Sequence, residues 1–401
     1  MPRKSATTTK KTTTKAARKS SSEAKTTTTA ASKVNFGNLM EKTFAAEIKA
    51  SNITVPKDHK PQIIPTGSLV LDLVSDIGGF PTSRMIELNG EEGCGKTTIA
   101  LGVAVQAQAM GIPVLFLDFE QALDLDYARH LGVDMDNPNL WRHIRPDYIE
   151  QAASIAFSYL ALRKPILIII DSLPTMVPKK YLEDPDNWGQ PGFKTKLQSD
   201  FLMVLQIKIR QSDACVIVLN QMRADFGSTS FGKRSKAAGG HAFRHAMSMQ
   251  FNLKNIGNIQ CNFDDALEGR VKRDTLSKVK VWNKKNKLGR AFMGGLMYLE
   301  IGEGISNTWT IMDESVSRGL IKQSGSWYKC ADIPELKGQG LDALFQVLKD
   351  NPHFVTQLCN LLGWLDGAGN WLLTGSKSNR TEEETVEPMS EEAEEGVLEE
   401  L

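Results

Sequence analysis

GEEGCGKT, residues Gly90–Thr97, decides the fold. It fills every defined position of the pattern G-x-x-x-x-G-K-[ST]. The short apolar run Met85–Leu88 precedes it, and Thr98–Ala109 follows with a helix-forming composition. Strand, glycine loop and helix are the context that this pattern requires. Glycines let the chain wrap so that successive N–H groups point at phosphate oxygens, and the helix N-terminus adds positive dipole. Lys96 supplies a point charge for the β- and γ-phosphates, and the Thr97 hydroxyl is a magnesium ligand. The expected cradle comprises Gly90, Glu91, Glu92, Gly93, Cys94, Gly95, Lys96, Thr97 and Thr98. The reading is a site for a nucleoside triphosphate and Mg2+.

Working outward, short apolar runs alternate with helical stretches. Met85–Leu88, Val114–Leu117, Ile166–Ile170 and Val216–Leu219 are apolar on both faces, as in a parallel sheet covered by helices. Later runs alternate instead: Met247, Met249, Phe251 and Leu253, then Val279 and Val281, then Leu296–Ile301. These predict an antiparallel extension with one solvated face. The fold class is α/β: a mostly parallel sheet flanked by helices, an antiparallel extension, and a small C-terminal α/β lobe. Leu341, Leu344, Phe345 and Leu348 mark a helix in that lobe, which Asn351-Pro352 ends.

Two acids stand where phosphate chemistry needs them. Asp171 ends the buried run 165–170, where a charge is costly unless it meets a cation. It is expected to hold magnesium; the alternative is a helix cap. Hydrolysis needs a group that orients or deprotonates water. Asp118 and Glu120, two residues apart at the end of the run from Val114, are both candidates, and Glu120 is preferred.

The ends differ from the middle. Residues 1–33 carry nine Lys/Arg and one acid in a low-complexity Ser/Thr-rich text, whereas residues 381–401 carry ten Glu and no base. The first is read as a disordered basic arm, either solubilising or tracking phosphates. The second is an acidic tail that can compete with a polyanion. Phe36, Leu39, Met40, Phe44 and Ile48 recur at helical spacing and need burial in the chain's own core or on a neighbouring subunit. The expected organisation is arm 1–33, helix and linker 34–63, ATPase core 64–305, lobe 306–375 and tail 376–401. The five cysteines form no C-x-x-C pair, which fits a reducing compartment. No apolar run approaches membrane-spanning length, and the N-terminus lacks a secretory h-region. A cytoplasmic location is expected, and organellar targeting is disfavoured.

Together these pieces resemble the bacterial RecA family of DNA recombinases. The resemblance covers roughly residues 64–355. It rests on PTGSLVLD (65–72), GGFPTSRMIELNG (78–90), LDFEQALDLDYARHLGVDMDN (117–137), IIIDSLPTMVPK (168–179) and IVLNQMR (217–223). AAGGHAFRH (237–245), NKKNKLGRAF (283–292), IGEGI (301–305), GLIKQSGSWY (319–328), GQG (338–340) and LKDNP (348–352) continue it. The resemblance implies ATP, with Glu120 as catalytic carboxylate and Asp124 and Tyr127 at adenine. It implies that Gln221 senses the γ-phosphate at the start of a DNA-binding loop running from Met222 to about Gly240. Within that loop Arg223 falls on a backbone-binding position, Phe226 on a wedge between base triplets, and Gly239 and Gly240 on its closing double glycine. Lys233, Arg234 and Lys236 there suit phosphates; otherwise they form a solvated loop. A first DNA loop falls near Glu183–Phe193, where Trp188 either stacks on bases or packs on a neighbour. Lys285 and Lys287 match a pair that reaches ATP across the subunit interface, as an arginine finger does.

The implied function is an ATP-dependent recombinase. It would form helical homopolymers on single-stranded DNA, pair that strand with homologous duplex, and work with single-strand-binding or loader proteins. A ring helicase or repair motor on the same core, and a filament-forming mediator with little turnover, are the alternatives. Several positions depart from the family: Glu91, Gly93 and Cys94 in the phosphate loop, Asp225, His241, His245, and Ile301 where a Tyr is common. Cys94 is either an oxidisable thiol or a small residue tolerated in a turn. The departures suggest a diverged member, as a phage-encoded chain would be.

Overall fold

The computed structural model describes residues 60–184, 192–224, 235–237, 240–265 and 269–365. The basic arm, the apolar stripe Phe36–Ile48 and the acidic tail lie outside the described residues.

The phosphate loop joins β3 (Arg84–Gly90) to α2 (Lys96–Ala109). The helix therefore begins two residues before the Thr98 expected from sequence, at the Lys of the motif. Gly95 makes the turn, with φ 85° at the N-cap. Before β3 come β1 (Ile63–Ile64), α1 (Leu69–Val74) and β2 (Phe80–Pro81). After α2 follow β4 (Val114–Asp118), α3 (Leu125–His130), β5 (Trp141–Ile144), α4 (Ile149–Ala161) and β6 (Leu167–Asp171). A short α5 (Lys179–Glu183) and the long α6 (Phe193–Ser212) lead to β7 (Cys215–Ala224). Strands β3 to β7 pair in parallel in the order β3-β7-β6-β4-β5.

Alternation along these strands builds two cores. Ile86, Leu88, Phe116, Ile169 and Leu219 pack with Ile99, Leu101 and Val103 of α2 on one face. Met85, Leu115, Ile168, Ile170 and Val216 pack with Ala156 of α4 and Phe201 and Leu205 of α6 on the other. Residues from both faces are buried, which is why these strands read as nearly continuous apolar runs, with Glu87 the exception in the β3 run Met85–Leu88.

Beyond β3 the sheet changes character. β8 (Ser235–Ala237) pairs with the end of β7, and α7 (Gly240–Ala246) leads to β9 (Met249–Asp265). β9 lies parallel to β3, and then β10 (Gly269–Asn286), β11 (Gly294–Glu300) and β12 (Gly304–Ile305) follow antiparallel. The extension is thus grafted directly onto the phosphate-loop strand. Met247 precedes β9 rather than opening it, because α7 ends at Ala246.

The outer face of this extension is not simply solvated. Leu276 and Tyr298 are buried there with Trp309, Met312, Leu344 and Leu358. These belong to α8 (Asn307–Ser317), α9 (Leu341–Asp350) and α10 (Pro352–Leu361), which flank the small sheet β13 (Ile321–Ser324), β14 (Trp327–Cys330) and β15 (Lys337–Gln339). Trp309 stacks on Phe345 with centroids 4.6 Å apart. Asn351-Pro352 ends α9 as the sequence indicates, and the proline starts α10 at once, since its missing N–H is not needed at a helix start.

Phe80 and Phe251 meet at 5.4 Å between centroids, both fully buried where β2 covers β9. Phe251→Ala is expected to lower stability by about 3–5 kcal/mol, the usual cost of an aromatic cavity. A denaturation midpoint matching the parent protein would show that this contact does not secure the extension.

Candidate active site

The site lies along the C-terminal side of the parallel strands, at the ends of β3, β4 and β6 and at Gln221 within β7. Gly90 stands in register with Gln221, and Asp118 with Asp171. The loop conformation depends on glycine for different reasons at different places. A side chain at Gly90 would meet the Leu253 carbonyl and the Cys94 sulfur, whereas Gly93 has open space but φ 75°. Lys96 folds back over the loop and donates through Nζ to Gly90 O at 2.9 Å and Glu91 O at 2.6 Å. Glu91, Glu92 and Gly93 are exposed. Cys94 is fully buried, and burial pushes its thiol above the ordinary cysteine range. It is therefore the small buried residue of a turn and not a reactive thiolate.

Thr97 Oγ1 donates to Asp171 Oδ2 at 2.9 Å. Burial pushes the Asp171 carboxyl up to about 7; the Thr97 hydroxyl opposes this, while Glu120 and Asp118 add to it. Asp171 does not cap the following 3-10 turn, Leu173–Thr175. That role belongs to Ser172, which forms a capping box with Thr175. A buried carboxylate with a raised pKa beside a hydroxyl is a donor pair that a hard divalent cation would relieve. The residues present therefore fit magnesium.

The two acids of the Val114 run have different surroundings. Asp118 is buried and accepts from His143 Nε2 at 3.1 Å and from the amides of Ala122 and Leu123 at 3.4 Å. Burial alone would raise its pKa, but these partners outweigh it and hold the carboxyl below the ordinary range. Glu120 is exposed at the cleft. Its Oε1 accepts from Ser172 Oγ and from Gln221 Nε2, the latter at 3.2 Å. The amides of Phe119 and Glu120 both donate to the Asp171 carbonyl, tying the ends of β4 and β6 together. The sequence assigns no role to Ser172 or His143: Ser172 stands in IIIDSLPTMVPK without a partner that spacing reveals, and His143 belongs to no motif.

Beside the loop, Tyr127 Oη and Thr98 Oγ1 are 3.2 Å apart. Asp124 caps α3, with Oδ1 accepting from Asp126 N and Tyr127 N at 3.0 Å each. Lys285 and Lys287 turn to the end of α7 instead of joining this group. Lys285 Nζ donates to Arg244 O at 2.5 Å and Lys287 Nζ to His245 O at 3.1 Å.

Residues 38–306 match the RecA N-terminal domain, and residues 310–362 match the RecA C-terminal domain. The chain belongs to the RecA family. It is similar to Protein RecA of Aquifex aeolicus (strain VF5), 34% identical over 333 residues that cover 80% of this chain and 92% of that one. Protein RecA of Bacteroides thetaiotaomicron is 35% identical over 325 residues, covering 80% and 93%. Among solved structures, the RadB recombinase overlaps 61% of this chain and 98% of its own at 17% identity, with a TM-score of 0.44.

Of the residues that the RecA resemblance assigns to DNA, Trp188, Phe226, Lys233, Arg234 and Gly239 lie outside the described residues. Arg223 and Lys236 are register partners in the β7–β8 ladder, so two basic residues stand opposite one another there. Gly240 opens α7.

Gly95→Ala tests the cradle. Its Cβ would lie 2.2 Å from Leu299 Cδ1 on a backbone with φ 85°. Strain of about 1–3 kcal/mol predicts ATP-analogue binding weakened roughly ten- to hundredfold with an unchanged circular dichroism spectrum. Unaltered affinity in a fluorescence titration would contradict this geometry.

Proposed function

We propose that this chain is a DNA-dependent ATPase whose nucleotide cycle assembles and releases a recombination filament on single-stranded DNA. As a RecA-family member the chain is a recombinase; filament formation and homologous strand exchange are typical of the family. The observation that carries the ATPase reading is the double hold on Glu120 by Ser172 and Gln221 at the open end of the cleft. A general base needs a fixed direction within reach of its water. A γ-phosphate arriving here would compete for Gln221, which begins the segment assigned to DNA.

The proposed roles follow. Lys96 and the amides of residues 90–98 bind the triphosphate. Thr97 and Asp171 hold Mg2+, which when bound neutralises charge on the phosphate oxygens. Asp124 and Tyr127 flank adenine. Glu120 orients water. Lys285 and Lys287 leave the carbonyls of α7 and deliver positive charge to the neighbouring subunit's nucleotide. Trp188, Arg223, Phe226, Lys233, Arg234, Lys236, Gly239 and Gly240 contact DNA, mainly its backbone, so binding is largely independent of sequence. Single-strand-binding or loader proteins are expected partners. No described helix is long and apolar enough to cross a membrane, and a DNA partner fits a cytoplasmic location.

Glu120→Gln is expected to reduce DNA-stimulated hydrolysis by about 10²–10⁴-fold while ATP binding persists. Turnover that survives this change would remove Glu120 from the mechanism. Electron microscopy with single-stranded DNA and a non-hydrolysable ATP analogue should show helical filaments, and the protein should form D-loops only with homologous duplex. Rings that unwind forks would favour a helicase, and filaments without DNA-stimulated turnover would favour a mediator.

A further inference from the structure

Glu87 lies in the middle of β3, three residues before the phosphate loop, and is 2% exposed. A carboxylate in a parallel sheet core is costly unless every oxygen is satisfied. Here each oxygen has its own donor. Asn220 Nδ2 donates to Oε1 at 2.7 Å, and Gln250 Nε2 donates to Oε2 at 2.5 Å. The two donors come from the strands on either side of β3, and they lead in opposite directions.

On one side, Asn220 Oδ1 accepts from the backbone N–H of Gln221 at 2.9 Å. Gln221 in turn reaches Glu120. On the other side, Gln250 is the register partner of Lys285 across the β9–β10 ladder. Lys285 holds the Arg244 carbonyl at the end of α7, and α7 follows the segment assigned to DNA. A path of hydrogen bonds thus runs from Glu120 through Gln221, Asn220 and Glu87 to Gln250, and strand register sets Lys285 opposite Gln250. Burial raises the proton affinity of Glu87, while Asn220, Gln250, Arg244 and Lys285 oppose the rise. Arg244 and Lys285 therefore act on it electrostatically, while its contacts are with Asn220 and Gln250. The motif that identifies the phosphate loop begins at Gly90 and leaves Glu87 without a role.

We propose that Glu87 is a positioning residue that couples a subunit's own triphosphate site to the lysine it presents to the next subunit. The proposal rests on the reading that Lys285 acts across a filament interface. Occupation of the γ-phosphate site moves Gln221. Glu87 transmits that movement to Gln250 and the Lys285 strand, and neighbouring sites fire together. A carboxylate suits this task because it accepts from both amides at once, which a neutral amide in its place cannot do in the same way.

The test uses the full chain with ATP, Mg2+ and poly(dT). Glu87→Gln preserves shape and removes the charge. DNA-stimulated kcat is expected to fall roughly three- to thirtyfold, the range that coupling networks carry. The KM for ATP should stay within about twofold, since ground-state binding is untouched. The Hill coefficient for ATP should fall toward one, because cooperativity is the measure of coupling between sites. A purely structural role would lower the thermal midpoint and the active fraction but leave the Hill coefficient of the remaining enzyme unchanged. Gln250→Leu cuts only the lysine side and should give the same loss of cooperativity; it decides the matter if Glu87→Gln does not fold. Lys285→Ala checks the underlying reading. If it leaves DNA-stimulated turnover intact, the interface role fails and the coupling proposal with it. If it abolishes turnover while Glu87→Gln and Gln250→Leu keep parental kcat and Hill coefficient, the proposal for Glu87 is overturned and the interface role stands.

Discussion

The parallel register of β3 between β7 and β9 is the constraint on which the site depends. It sets Gly90 beside Gln221 on one side and Leu253 on the other. Parallel strands that start on a common line end on a common line, so residues distant in sequence arrive at one edge. Gly90, Asp118, Asp171 and Gln221 occupy that edge because of strand length and register, and not because of any local signal. Helical crossovers cover both faces of such a sheet and force apolar residues on both. Polar chemistry then gathers at the strand ends, and a polar group inside the sheet, such as Glu87, must be met by partners from the flanking strands.

Within this frame, surroundings decide what each carboxylate can do. Asp118 is committed to His143 and two loop amides, so it braces the turn that leads to Glu120. Asp171 is buried beside Thr97 and pushed toward protonation, a state that a cation would reverse. Glu120 faces the cleft and shares one oxygen between two donors. Glu87 is buried outright and satisfied by amides from both flanking strands. Four acids of similar intrinsic chemistry thus sit in four distinct environments set by burial and hydrogen-bond partners.

The antiparallel extension serves two purposes at once. Its inner face completes the core beneath the phosphate loop, where Leu299 abuts the position of Gly95. Its outer face receives the lobe through Leu276 and Tyr298. The same ladder carries Lys285 opposite Gln250. The lobe contact through Leu276 and Tyr298, the Leu299 side chain beneath the phosphate loop, and Lys285 therefore all belong to β10 and β11.

The phosphate loop, the buried parallel strands, the antiparallel character of β9 to β11 and the existence of a C-terminal lobe were legible in the chain. Each follows from local rules: a spacing of glycines, a lysine and a hydroxyl, or the period of apolar residues. The preference for Glu120 over Asp118 was not settled by spacing, because both acids stand at the same strand end. His143 on β5 and Ser172 just after β6 give the two acids different partners, and no spacing in the sequence announces those contacts. The outer face of β10 and β11 likewise read as solvated, since alternation records one buried face and cannot say what covers the other. Glu120, Gln221 and Lys285 have roles assigned from the sequence, but nothing in it links them through Glu87. A single glutamate in an apolar strand has meaning only when Asn220 and Gln250, far along the chain, are laid on either side of it. Local spacing determined which chemistry the chain could carry; three-dimensional register decided which residues meet, because hydrogen bonds form between neighbours in space and not in sequence.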